Sequence, residues 1–323
     1  MSSVASAAAR SEAAKASDRP EPTNHTAVNK PHRSFGTVIA PYLFVAPAFI
    51  VVFVFVVLAA LNTFRLAFTD STLLKPGNFV GFQNFIDLFQ DEYFLTALLN
   101  SSLYVVCVVP FMVILPLILA NLVKGNGRIM GFFRTAFYMP VVMSAVVVGM
   151  IWTNLLDSAG LVNSVLKALK IISKPIPFLT DRWGVLFSSM FVTIWLGLGY
   201  YMVIYLTALA NIDESLYEAA SLDGAGPVRQ FIYVTMPGVR STMMLIMMLS
   251  TIAAFRVFNE IYVLTNGSAG PGGMDMTMSM LIKREGTGIQ ARTGYASAIS
   301  IVVLVIVGVM LIVQQILQKR GED

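Results

Sequence analysis

Three polar side chains interrupt one long apolar run: Arg256, Asn259 and Glu260. Ionisable groups are expensive in hydrocarbon, so such residues mark a polar pathway or a paired interior. Arg256 and Glu260 are four apart, which on a continuous helix places them on one face. Two readings follow. One is a polar lining of a translocation path; the other is an internal ion pair near the headgroups, with the Arg stem snorkelling. In the preceding apolar run, Trp195, Tyr200 and Tyr201 offer ring faces able to stack on sugars. Rings of this kind also gather at membrane interfaces without any ligand.

A second constellation lies in the polar loop between those runs. It reads Glu218-Ala219-Ala220-Ser221-Leu222-Asp223-Gly224-Ala225, and Pro237 follows Gly224 by thirteen residues. Glu214 to Leu222 is rich in good helix formers, and Gly224 is suited to stop a helix. Pro227 then suits the first turn of a second short helix. On these residues alone the loop is a helix-turn-helix connection.

Other chemistry is excluded. No G-x-x-x-x-G-K-[ST] sequence occurs, so the chain holds no ATP by a P-loop. Gly125-Asn126-Gly127 and Gly270–Gly273 read as loop residues. The two histidines, His25 and His32, both lie near the N-terminus, which leaves the body without a His-based metal site or triad. Cys107, the only cysteine, forms no internal disulfide and reads as a small core residue. HExxH, CxxC and serine-elbow patterns are absent. The expectation is a protein that is not an enzyme, with no catalytic, cofactor or metal residue.

The elements that position these residues follow from composition. Of 323 residues, 56% are hydrophobic and only 12% charged, and mean hydropathy is +0.73. Soluble domains carry about 25% charge. Six apolar runs, at roughly 38–63, 98–123, 137–156, 185–210, 240–264 and 295–318, each approach or exceed the roughly 20 residues that cross a bilayer. Spans in lipid must satisfy their own backbone, so they are helical. The expected fold class is all-α, a polytopic membrane protein with six transmembrane helices. Prolines at 41, 47, 110, 116 and 140 suggest kinks in the first three. Residues 1–36 are polar and read as a disordered tail, and 37–323 as one transmembrane domain. Lys and Arg number 12 on the side of the tails and of loop 211–240, against nine on the other. That excess is in the direction of a cytoplasmic tail side.

The Glu218–Pro237 pattern resembles the EAA loop of binding-protein-dependent ABC import permeases. Further segments are similar to the carbohydrate-uptake branch of that family, the maltose and glycerol-phosphate type. They are Phe79–Phe85, Asn100-Ser101, Arg134–Pro140, Trp195–Tyr200, Tyr262–Gly267 and Gly294–Ala298, with Trp152, Gly160 and Asn163. The Thr265-Asn266-Gly267 segment is similar to the first of the two permeases such systems usually encode. Ser268–Gly273 is longer than the family's usual Gly-Gly-Pro-Gly, and Met236 replaces a usual Leu.

The resemblance implies a type I ABC importer permease fold in the bacterial inner membrane, with both termini and loop 211–240 cytoplasmic. It implies four kinds of partner: a second permease, two ATP-binding subunits, an extracytoplasmic sugar-binding protein and membrane lipid, with no nucleic acid. ATP would be bound only by the partner ATPases. Glu218, Ala219, Ala220, Asp223, Gly224, Ala225 and Pro237 would couple to the ATPase: Glu218 to a basic residue, the alanines by close approach, Asp223 and Gly224 at the turn. Position-matching places Gly197 and Tyr200 on the substrate path, with Ser250, and Arg256, Asn259 and Glu260 as the polar candidates. A permease for a polyamine or phosphate is the alternative within the family. An intramembrane enzyme or an energy-independent channel is the alternative outside it.

Overall fold

The computed structural model describes residues 35–289 and 291–320; the tail expected over 1–36 lies outside them up to residue 34. Among the described residues, six helices are long and apolar enough to cross a membrane: Tyr42–Leu66, Glu92–Val123, Ala145–Ala168, Arg182–Leu209, Arg240–Leu264 and Thr293–Lys319. Among the described residues no strand accompanies them beyond an isolated bridge between Thr69 and Phe79.

The chain divides into two compact units, Met1–Val57 and Leu58–Asp323. The described part of the first is a helix, Phe35–Val52, that widens into a π-helical turn over Phe53–Leu58. Pro41 and Pro47 both lie inside that helix.

In the second unit the second span is the hub. Half of its most apolar stretch is buried, against 22–33% for the third to sixth spans. It runs unbroken from Glu92 to Val123 with Pro110 and Pro116 inside it. Proline removes a ladder donor and crowds the preceding turn. Beside the Met112 carbonyl that Pro116 leaves without its ladder donor, the Tyr205 hydroxyl of a neighbouring span donates to the Val113 carbonyl at 3.0 Å. Tyr104 bonds Thr193 at 2.8 Å, a second link between the second and fourth spans. The Arg134 guanidinium caps the end of the second span, donating to the Val123 and Gly125 carbonyls, each at 2.8 Å.

The third crossing differs from the run expected at 137–156. A helix over Arg128–Tyr138 gives way to a 3₁₀ turn at Met139–Val142, and a new helix begins at Ala145. Pro140 is the reason, since it sits at the start of the tight turn with no amide hydrogen to continue the ladder. The helical path then extends through a turn to Ala168.

The fifth span breaks with no proline at the break. Its first helix ends at Phe255, Phe258 is non-helical (φ −142°, ψ −57°), and a second helix runs Asn259–Leu264. Beyond it, residues 265–277 fold inward and lead to a helix at Met278–Gly286 and then to the sixth span.

Candidate functional site

Loop 211–240 forms the elements its residues predict. Its helix spans Glu214–Leu222. Asp213 caps the start by accepting from the Ser215 amide at 2.9 Å. The bonds from Ser215 hold this exposed carboxyl below its ordinary range. At the far end Ala225 donates to the Ala220 carbonyl (2.8 Å) and Gly224 to the Ser221 carbonyl (3.0 Å). This paired closure requires a left-handed residue, and Gly224 supplies it with φ +77°. Pro227 opens the next helix, Pro227–Gln230. Gln230 ties the two helices by donating to Ser221 Oγ (2.8 Å) and the Ala225 carbonyl (3.1 Å).

The loop's surface is open. Glu218, Ala219, Asp223 and Pro237 are exposed, Ala220 and Ala225 half-buried. Leu222 is 90% exposed and Tyr233 75%. Beneath the helix lies a cavity of about 760 Å³, bordered by Lys124, Arg134, Glu214, Tyr217, Glu218 and Gln230. The Lys124 ammonium sits 4.4 Å from the centre of the Tyr217 ring, and Tyr217 bonds Thr235 at 2.9 Å.

The path candidates scatter. Gly197 and Tyr200 line one cavity of about 310 Å³ with Met112, Val141, Thr193 and Ala253. Gly197 keeps the fourth span close to the second, since a Cβ there would fall 2.4 Å from the Met112 side chain. Ala253 also borders a second opening, shared with Arg256. Ser250 borders neither cavity: it is 1% exposed and its hydroxyl donates to the Met247 carbonyl at 3.1 Å. Asn259 is exposed and Glu260 half-buried in the first turn after the break.

Arg256 and Glu260 do not share a helix face. The helix ends between them, and among the described residues neither takes part in an ion pair. The break leaves Arg256 at the C-terminal end of one helix and Glu260 at the N-terminal end of the next, where each charge suits its helix dipole. Trp195 packs edge-on against Trp152, ring centres 5.5 Å apart, in a small apolar cluster between spans.

Sequence reasoning missed the break and the groups that hold it. The Thr277 hydroxyl donates to the Val257 carbonyl at 3.0 Å. Asn100 donates to the Met274 and Met276 carbonyls (2.7 and 2.9 Å), and Ser101 accepts from the Met278 amide (3.0 Å). Asn84 and Asn163 act alike. Asn84 reaches the Ala67 and Thr69 carbonyls, and Asn163 clasps Ile176 through both its amide and its carbonyl. The motif asparagines thus tie loops to helices.

Comparison with known proteins converges on one family. Residues 92–322 match the model described as the binding-protein-dependent transport system inner membrane component. A probable ABC transporter permease, YurN of Bacillus subtilis (strain 168), is 34% identical across 88% of this chain and 98% of its own. The lactose transport system permease LacF of Rhizobium radiobacter is 33% identical across 84% and 92%. Among solved structures, a chain of a bacterial ABC transporter that imports the acidic polysaccharide alginate superposes with a TM-score of 0.71. It is 23% identical over 87% of this chain and 95% of that one, a shared fold. The family is one of transport subunits and not of enzymes, and this chain, a multi-pass membrane protein, belongs to it as a binding-protein-dependent transport system inner membrane component.

Proposed function

We propose that this chain is one of two transmembrane subunits of an ATP-driven carbohydrate importer in the bacterial inner membrane. The observation that carries the reading is loop 211–240: a helix of EAA sequence, capped at both ends by its own neighbours, with Glu218, Ala219 and Leu222 exposed. A helix that takes so little from its own bundle is suited to dock on another subunit. The family resemblance makes that subunit an ATPase, and the chain itself has no P-loop. A second permease would complete the pathway, and an extracytoplasmic binding protein would deliver the sugar. Both termini and loop 211–240 would face the cytoplasm. Carbohydrate as substrate is supported by the lactose permease relative and by the Thr265-Asn266-Gly267 segment. Polyamine or phosphate uptake draws no such support.

In mechanism, closure of two ATPases would draw the paired EAA helices together. The bundle would then rock between inward-facing and outward-facing states. Broken helices at bilayer depth are tolerated where they line a cavity, and such breaks commonly mark binding regions. The break at Arg256–Phe258 lies beside the opening that Ala253 and Arg256 share. The path would therefore run along Gly197, Tyr200 and Arg256, with Glu218, Ala219, Ala220, Asp223, Gly224, Ala225 and Pro237 serving the ATPase contact.

The test is Glu218→Lys in the full assembly. Uptake should be abolished and the ATPase lost from the purified membrane complex, while the chain still inserts and sugar still binds the delivery protein. Normal uptake with normal ATPase retention would overturn the assignment.

A further inference from the structure

At the end of the fifth span opposite loop 211–240 lies a cavity of about 340 Å³, distinct from the Gly197–Tyr200 cavity. That is within the size range of small-molecule sites. Its wall carries three aromatic rings, Tyr93, Phe258 and Tyr262, and two cations, Lys283 and Arg284. The Lys283 ammonium lies 3.6 Å from the Tyr262 ring centre and 5.3 Å from that of Phe258. The Arg284 guanidinium lies 4.1 Å from the Tyr93 ring centre. Phe258 and Tyr262 stack on each other at 5.0 Å, so the cations and rings form one cluster.

The charge in this cluster is unbalanced. Among the described residues Lys283 has no carboxylate within ion-pair distance. Arg284 and Arg292 both reach Glu285, at 3.0 Å and 2.6 Å, so of the two cations in the wall Lys283 is the one left without such a partner. Cations at the end of the helix Met278–Gly286 also suit its dipole, which would account for them if they pointed to open solvent. Here both line the cavity.

The lining is also one-sided in hydrogen-bonding chemistry. None of its residues is Asp, Glu, Asn, Gln or His. The Ser268 and Thr287 hydroxyls already donate to the Thr265 and Lys283 carbonyls. A neutral sugar's hydroxyls both donate and accept, so a site fitted to one pairs its donors with carboxylate or amide acceptors. This wall offers ammonium and guanidinium donors instead. Such donors favour an oxyanion, because hydrogen bonds to ionised acceptors are roughly twice as strong as neutral ones.

We propose that this cavity is a binding station for a saccharide that carries a negative charge, a uronate or a sugar phosphate, with Lys283 and Arg284 holding its anionic group and the Tyr93 and Tyr262 cluster flanking the ring. The proposal rests on the carbohydrate-importer reading and narrows its substrate class.

The experiment uses the full chain, copurified with its partners and reconstituted in nanodiscs. Three probes share one ring and differ at carbon 6: glucose, glucuronate and glucose 6-phosphate. Binding is followed by saturation-transfer NMR and titration calorimetry. At least one anionic probe should bind about tenfold to a hundredfold more tightly than glucose, the range expected of a charge-assisted bond. Which anion wins identifies the source of the charge. Lys283→Gln and Arg284→Gln should each erase that preference, and Lys283→Arg should keep it. Equal binding of the three probes, or a preference that survives both Gln variants, overturns the proposal. A purified complex without any ATPase activity would instead sink the importer reading beneath it.

Discussion

Loop 211–240 and segment 265–292 sit at opposite ends of the fifth span, and they are built on opposite principles. The helix Glu214–Leu222 has no buried residue, and its bonds close within the loop. In the other segment Asp275, Thr277, Met278 and Leu281 are fully buried. That segment is pinned by two neighbours, Asn100 and Ser101 on the second span and the Val257 carbonyl at the break. One end presents a finished element to another molecule. The other end is part of the core, and its shape depends on spans far away in sequence. Outside the Lys283–Arg284 wall, perturbation should therefore cost function at the first end and folding at the second.

One positive-φ glycine from each end sharpens this most. Gly224 (φ +77°) has open space around it, so Ala there meets only backbone strain, about 1–2 kcal/mol. Gly270 (φ +75°, ψ −172°) sits in a region essentially restricted to glycine, and a Cβ there would also fall against the Asp275 carboxylate. Gly270→Ala should reduce the amount of folded chain severely, whereas Gly224→Ala should leave it near normal while lowering uptake. Membrane yield and thermal unfolding of both variants check this. Equal yields would break the comparison. Gly270→Ala combined with Asp275→Gly should recover part of the loss, because it removes the group that the new methyl meets.

Asn100→Ala should come next. It strips the Met274 and Met276 carbonyls of their donor, and each buried group left unpaired costs about 1–3 kcal/mol. The expected reading is a lower unfolding temperature together with faster proteolysis within 265–277. ATPase retention should be unchanged in whatever complex survives. If Asn100→Ala instead released the ATPase at normal stability, the two ends would not be separable in this way.

The contrast also explains what was legible in the sequence. The EAA helix was readable because its determinants are local: the good helix formers of Glu214–Leu222, Gly224 at its stop, and Pro227 opening the next turn. The six spans were readable from apolar length, which the bilayer enforces. The third crossing was misplaced because Pro140 ends a helix that hydropathy alone carries through. The break at Arg256–Phe258 was illegible, since none of its residues is Gly or Pro, and the Val257 carbonyl it frees is met by Thr277. The same holds for Asn100 and Ser101, whose partners lie 174 to 177 residues away. Arg256 and Glu260 show the cost: an i, i+4 argument presumes a continuous helix, and tertiary bonds removed it.

The smallest expected effect is a pH dependence at the buried end. Neither Asp275 oxygen has a hydrogen-bond partner among the described residues, and burial pushes the carboxyl up to about 7. The Arg182 charge opposes the rise and Asp181 adds to it. In the unfolded chain the group titrates near the ordinary Asp value of about 4. Between those two pH values the folded protein keeps a proton that the unfolded chain has lost. Stability from this group is therefore fully present below about pH 4, falls as pH rises towards 7, and is flat above. The EAA end carries the opposite sign at Asp213, whose carboxyl is lowered. Stability from Asp213 is present above the ordinary Asp range and lost as pH falls through its depressed value, so the two groups titrate in separate windows. Thermal unfolding of the reconstituted complex from pH 5 to pH 8 should show wild type losing stability with rising pH. Asp275→Asn should lose less over the same range, because an amide cannot ionise. Asp213→Asn should track wild type there, since its titration lies below that window. If the Asp275→Asn and wild-type curves run parallel from pH 5 to pH 8, the carboxyl is not protonated in the folded state, and a partner absent from the single chain must neutralise it.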